Sequence, residues 1–148
     1  MKDSTTVRIA ISLTVDQLEN GNTKTGLTSR YLKDIYDQEK DFITKKITNK
    51  IFINHSSFIQ PQEDKAPMIM VGPGTGVVPY IGFMEEREVR LQRDQSLTLG
   101  EAYLFFGCRK STSDFIYKDQ IKYFEEKKIV DKVFYAFSRE HSHKKVYV

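Results

Sequence analysis

Apolar and polar positions alternate from Val7 to Val15. Val7, Ile9, Ile11, Leu13 and Val15 fall on one side, with Arg8, Ser12 and Thr14 on the other. A period of two predicts a half-buried, antiparallel strand. A polar loop follows over 19–25, and Leu32, Ile35 and Tyr36 are then spaced for a helix whose start Thr28 or Ser29 would cap. Residues 45–54, with Ile47, Ile51, Phe52 and Ile53, predict a further strand. Beyond the polar stretch 60–67, with a proline near each end, the pattern changes character. It predicts a strand over 68–71, a helix over 77–92, a strand over 102–106, a helix over about 114–127 and a strand over 133–137. Val78, Ile81, Met84 and Leu91 share one side of the first helix, where Glu86 and Arg90 are spaced to pair. Tyr117, Ile121 and Phe124 do the same in the second. Strands separated by helices imply right-handed crossovers and a parallel sheet. The expected fold is α/β: the first three strands of a doubly wound parallel sheet, preceded by an antiparallel β segment. The boundaries are expected at 1–60, a linker at 61–66, and 67–148.

Composition narrows the class. A 39% hydrophobic chain of 148 residues holds enough apolar material for a core. No apolar run approaches the roughly 20 residues of a membrane span, and residues 1–15 lack the layout of a signal peptide. One cysteine, Cys108, forms no intrachain disulfide, so a reducing compartment is the default. A net charge of +3 with mixed signs fits a small anionic ligand and gives no footprint for nucleic acid. His141 and His143 lack a nearby third ligand, so no metal site is expected.

The chemistry concentrates after the strand at 68–71. Gly72, Gly74 and Gly76 follow it, and Pro79 falls in the first turn of the next helix. Strand, glycine turn and helix N-terminus together favour an anion, because free N–H groups and the helix dipole point at it. Ligands of parallel sheets sit beyond the carboxyl ends of the strands. That places Gly72 to Gly76, then Gly107, Cys108 and Arg109, then Ser138 and Arg139, along one edge. Val77 and Val78 follow Gly76, where a Walker loop requires Lys and Ser or Thr, which disfavours ATP hydrolysis. No acidic residue ends the second strand to grip a ribose hydroxyl, as NAD sites and methyltransferases require. Instead Ser138, Arg139, Lys144, Lys145 and Tyr147 offer a hydroxyl, cations and a ring. These suit a 2′-phosphate and its adenine, and so NADPH over NADH. The bland alternative is a solvated basic loop after a strand. Gly26 to Ser29 is a second candidate phosphate site, with a simple helix cap as its alternative.

Several of these stretches match one family in order and spacing. They are Met68 to Pro79, Phe105 to Arg109, Asp114 to Tyr117, Ala136 to Arg139 with Lys145 to Val148, and Gly26 to Ser29 upstream. Together they resemble the diflavin reductases, ferredoxin–NADP reductase-like enzymes, with the cytochrome P-450 reductase type the nearest. The resemblance covers nearly the whole chain. It implies that 1–60 is the end of an FAD-binding domain, with FAD pyrophosphate contacts from Gly26, Leu27, Thr28 and Ser29. It implies that 67–148 begins an NADP-binding domain, with contacts from Gly74, Thr75, Gly76 and Arg109. Ser138 and Arg139 would meet the 2′-phosphate, and Lys145, Val146, Tyr147 and Val148 would flank the adenine. One extra residue before Val146 makes Lys144 an alternative to Lys145, and Asn54 stands where relatives often carry a basic residue.

The resemblance further implies an NADPH-dependent flavoprotein that passes electrons through FAD and FMN to a haem protein such as cytochrome P-450. Sulfite reductase flavoprotein, methionine synthase reductase, a fused NADP oxidoreductase and an inactive nucleotide-binding piece are the alternatives. The family's Arg-x-Tyr-Ser flavin motif, its Cys-Gly-Asp motif and the FMN domain are absent, so the expectation is a piece of a longer polypeptide. Met1 would then be an artificial start, and no catalytic residue is expected within the chain. A cytoplasmic location follows, on the endoplasmic reticulum only through an anchor outside it.

Overall fold

The computed structural model describes residues 7–41, 50–140 and 145–148. The chain divides into two compact units, Ala10–Ser57 and Phe58–Val148, the second joined by the described residues up to Ile9.

In the first unit, β1 (Val15–Gln17) and β2 (Thr23–Thr25) pair antiparallel, with Val15 opposite Thr25. The turn between them is closed by Leu18 N–H donating to Asn22 O at 2.8 Å and Gly21 N–H to Leu18 O at 2.9 Å. Helix α1 (Leu27–Asp41) follows directly. It starts earlier than its apolar spacing predicts, and Gly26 is its first acceptor, taking Arg30 N–H at 3.0 Å. Thr28 and Ser29 therefore lie inside the first turn rather than capping it.

The long strand expected from Val7 to Val15 does not form. Residues 7–14 carry no ladder, and Val7, Ile9, Ile11 and Leu13 are exposed. Alternation marks which side chains would share a face, but a strand also needs a paired neighbour, and β2 supplies three residues of one. Residues 50–54 of the expected strand at 45–54 also carry no ladder, with Ile51, Phe52 and Ile53 exposed. The rest of that segment lies outside the described residues.

The second unit follows the predicted alternation closely. β3 (Met68–Val71), α2 (Val78–Arg93), β4 (Ala102–Cys108), α3 (Lys118–Glu126) and β5 (Lys132–Phe137) occur in that order. β4 lies between β3 and β5 and is parallel to both, with Met70 opposite Leu104 and Leu104 opposite Val133. Alternate positions on the strands are buried: Met68 and Met70, then Ala102, Leu104 and Phe106, then Val133. They pack with Ile81 and Met84 of α2 and Ile121 and Phe124 of α3 in one core. Both helices thus cover the same face. Each large side chain fully buried there contributes about 1.5–3 kcal/mol.

Two ionic residues lock this layer. Arg87 of α2 is buried, and its Nε donates to Ile129 O at 3.0 Å while Nη2 donates to Gly100 O at 2.8 Å. Burial pulls its guanidinium pKa down from the usual value. Arg90, spaced to meet Glu86, donates instead to Asp64 in the segment ahead of β3.

Helix α3 begins at Lys118, four residues later than about 114. Asp114 is engaged with the loop behind it, and Phe115 is stacked on Phe106 with ring centroids 4.7 Å apart. Tyr117 then takes a left-handed conformation, φ 56°, before its carbonyl accepts Ile121 N–H at 2.8 Å. Tertiary anchoring of Phe115 overrides the helical spacing of the sequence.

Candidate nucleotide site

The carboxyl ends of β3, β4 and β5 lie side by side, because the strands are parallel and adjacent. Each ends in one of the segments singled out from the sequence.

After β3 the chain turns at Gly72, whose N–H donates to Phe105 O at 3.0 Å. A side chain here has no room, since a Cβ would stand 2.8 Å from Val77 Cα and 2.9 Å from Gly76 O. Gly74, at φ +54°, opens a single 3₁₀ turn over Gly74–Val77 that runs straight into α2. Pro79 sits in the first turn of α2, and no acidic residue is found in that turn. Thr75 and Gly76 are exposed. Within this turn Gly76 N–H donates to Pro73 O at 3.0 Å and Val78 N–H to Thr75 O, so the positive end of the helix dipole, with the Gly74 and Thr75 amides ahead of it, is what favours an anion here.

β4 ends at Cys108 and Arg109 follows it; after β5 come Ser138 and Arg139. The ladder continues past the strands here: Ser138 N–H donates to Cys108 O at 3.0 Å and Arg139 N–H to Arg109 O at 2.8 Å. Two arginines are therefore held side by side on neighbouring loops, both exposed. Arg109 Nη2 donates to Asp114 Oδ1 at 2.6 Å. Asp114 Oδ2 in turn accepts Lys110 N–H at 3.2 Å and the Ser113 hydroxyl at 3.1 Å. The Arg109 guanidinium, with Ser113 assisting, holds the Asp114 carboxyl below the usual range.

Residues 145–148 return to the same edge. Val148 lies against Gly107, its Cγ2 2.5 Å from where a Cβ on that glycine would stand. Lys145, Val146 and Tyr147 are exposed beside it in sequence. Lys144 and the histidines at 141 and 143 lie outside the described residues. Among the described residues no group of His, Cys, Asp and Glu is placed to hold a metal ion.

The remaining candidates, Gly26 to Ser29, belong to the other unit, where they form the N-terminus of α1. Gly26 N–H donates to Thr14 O at 3.0 Å. The Ser29 hydroxyl donates to Gly26 O at 3.2 Å and accepts Thr14 N–H at 3.4 Å. Leu27 and Thr28 are exposed.

Of the acidic partners at this edge, Asp114 opens one of the stretches that carry the family resemblance, though with no role assigned to it, and Glu140 carried no sequence signal beyond a carboxylate next to an arginine. Their roles depend on how the two loops fold back, which spacing alone does not encode.

The family described as "Oxidoreductase NAD-binding domain" matches residues 70–148. The chain is 36% identical over 144 residues, 97% of its length, to an NADPH–cytochrome P450 reductase of Drosophila melanogaster. It is 47% identical over 100 residues to one of Emericella nidulans and 44% identical over 98 residues to one of Homo sapiens, in each case 66% of the chain. These matches cover 20%, 14% and 14% of the respective relatives, so the chain spans about a fifth of their length at most. No helix among the described residues is long and apolar enough to cross a membrane. The relationship supports NADP and, in general terms, a flavin as the cofactors. The chain belongs to the oxidoreductase NAD-binding domain family and is a relative of the diflavin NADPH–cytochrome P450 reductases.

Proposed function

We propose that the Phe58–Val148 unit is the NADPH-binding part of a flavoprotein reductase, and that its nucleotide lies along the edge formed by β3, β4 and β5. The observation that carries this reading is the hydrogen-bonded pairing of Cys108–Arg109 with Ser138–Arg139, next to a glycine turn that tolerates no side chain at Gly72. Gly74 and Thr75 offer backbone donors to the pyrophosphate, Gly76, whose own N–H is spent on Pro73 O, adds no side chain beside them, and Arg109 adds a charge. Ser138 and Arg139 take the 2′-phosphate, for which a planar guanidinium and a hydroxyl are a matched pair. Tyr147, with Lys145, Val146 and Val148, flanks the adenine.

The Ala10–Ser57 unit is proposed to hold the pyrophosphate of FAD at Gly26 to Ser29, through the N-terminus of α1 and the Thr28 hydroxyl. NADPH would supply a hydride and a bound flavin would let its two electrons leave singly, chemistry that belongs to the cofactors. The role of this chain is to bind and orient those groups. In the whole protein an FMN domain would relay the electrons to a haem protein such as cytochrome P-450. The location is proposed to be the cytosolic side of the cell, with any membrane anchor supplied from outside this chain.

Calorimetric titration of Arg139→Ala tests the reading. NADPH affinity falls at least tenfold while NADH affinity changes little, since only the former carries the phosphate that the guanidinium pairs with. Equal loss for both nucleotides counts against the assignment.

A further inference from the structure

Immediately after Arg139 stands a carboxylate that ought to oppose the site. Glu140 is exposed and one residue from the guanidinium assigned to the 2′-phosphate. An unrestrained carboxylate there would compete as an internal counter-ion for Arg139 and repel a dianion. It is instead tied to the neighbouring loop. Ser111 N–H donates to Glu140 Oε2 at 3.0 Å, and the Ser111 hydroxyl donates to Oε1 at 2.8 Å. Each oxygen thus accepts a hydrogen bond from the same residue of the β4 loop. This clasp is the third successive tie between the two loops, after Ser138 to Cys108 and Arg139 to Arg109.

We infer that Ser111 is a positioning residue for nucleotide specificity, holding the Glu140 carboxylate off the 2′-phosphate position so that Arg139 stays available to it. The inference rests on the NADPH reading above. It makes selectivity for the phosphorylated ribose depend on a serine in a different loop from the residues that touch the ligand. Hydroxyl and amide together fix the carboxylate better than either alone, so loss of the hydroxyl loosens Glu140 without unfolding the edge.

The test is titration of the full chain with 2′,5′-ADP and with 5′-AMP, taking the ratio of the two affinities. Ser111→Ala lowers that ratio about threefold, the scale of a screened, exposed charge. Ser111→Thr keeps the hydroxyl and keeps the ratio. Glu140→Gln does not lower it, and adding Glu140→Gln to Ser111→Ala restores it, because the released group no longer bears charge. A Ser111→Ala ratio equal to that of the parent overturns the inference, as does a fall that Glu140→Gln fails to rescue. If the parent chain itself shows no preference for 2′,5′-ADP, the NADPH reading fails, and the clasp inference with it. A preference that Ser111 does not influence overturns the clasp alone.

Discussion

Val148 occupies the space that a side chain on Gly107 would need: its Cγ2 lies 2.5 Å from the position of a Cβ there, and its own Cβ lies 3.7 Å away. A glycine near the end of β4 is thus what lets residues 145–148 settle on the sheet edge. The contact joins the segment assigned to the adenine with the strand that leads to Arg109.

Gly107→Ala is therefore expected to push residues 145–148 away while leaving the core intact. The cost to binding of an adenine nucleotide is about 1 kcal/mol, the low end for overpacking, because Val148 is half exposed and able to shift. Titration with 2′,5′-ADP against the parent chain measures it. An unchanged affinity would show that the segment does not contribute to the nucleotide site.

A second expectation concerns Arg87, which is 5% exposed and serves two carbonyls, those of Ile129 and Gly100. Arg87→Met retains most of the volume but leaves both acceptors without their donor. Each stranded buried acceptor is costly, so stability falls by about 2–4 kcal/mol. Urea unfolding followed by circular dichroism reads this directly. The nucleotide affinity of the folded protein should stay put, since Arg87 sits near the opposite ends of the strands from Arg109.

Cys108 offers a pH-dependent probe at the site. Burial raises its thiol pKa, with the charges of Asp114 and Glu140 adding to the effect, and its Sγ donates to Lys110 O at 3.4 Å. The thiol therefore stays protonated to higher pH when folded than when unfolded. Iodoacetamide labelling should reach half its maximal rate above about pH 8.5, the ordinary cysteine value. The sign for stability follows: above that pH the unfolded chain releases its proton first, so stability declines as pH rises further. Asp114→Asn should move the labelling midpoint down. A midpoint at or below the ordinary value in the parent chain would contradict the described surroundings of the thiol.

The alternation of Met68 to Val71, Ala102 to Cys108 and Lys132 to Phe137 with two amphipathic stretches was enough to read a parallel sheet, because burial on one face leaves a repeating mark on the sequence. The glycine turn was equally legible, since three glycines in five positions after an apolar run have few other uses. The place of Ser138, Arg139, Lys145 and Tyr147 after the third strand already suggested a 2′-phosphate and adenine site, and the resemblance to diflavin reductases added Val146 and Val148 to it and FAD to Gly26 to Ser29. Where a segment's conformation depends on a distant partner, the sequence misled. Val7 to Leu13 alternates like a strand yet has no ladder among the described residues, and about 114–117 reads as helix yet is held back by Phe115 on Phe106 and Asp114 on Arg109. The parallel order set Arg109 and Arg139 along one edge, but only the tertiary structure tied their backbones together, seated Val148 on Gly107, and drew Glu140 across to Ser111. Those relationships join positions up to 41 residues apart, counted from Gly107 to Val148, and local pattern carries no record of which loops will meet.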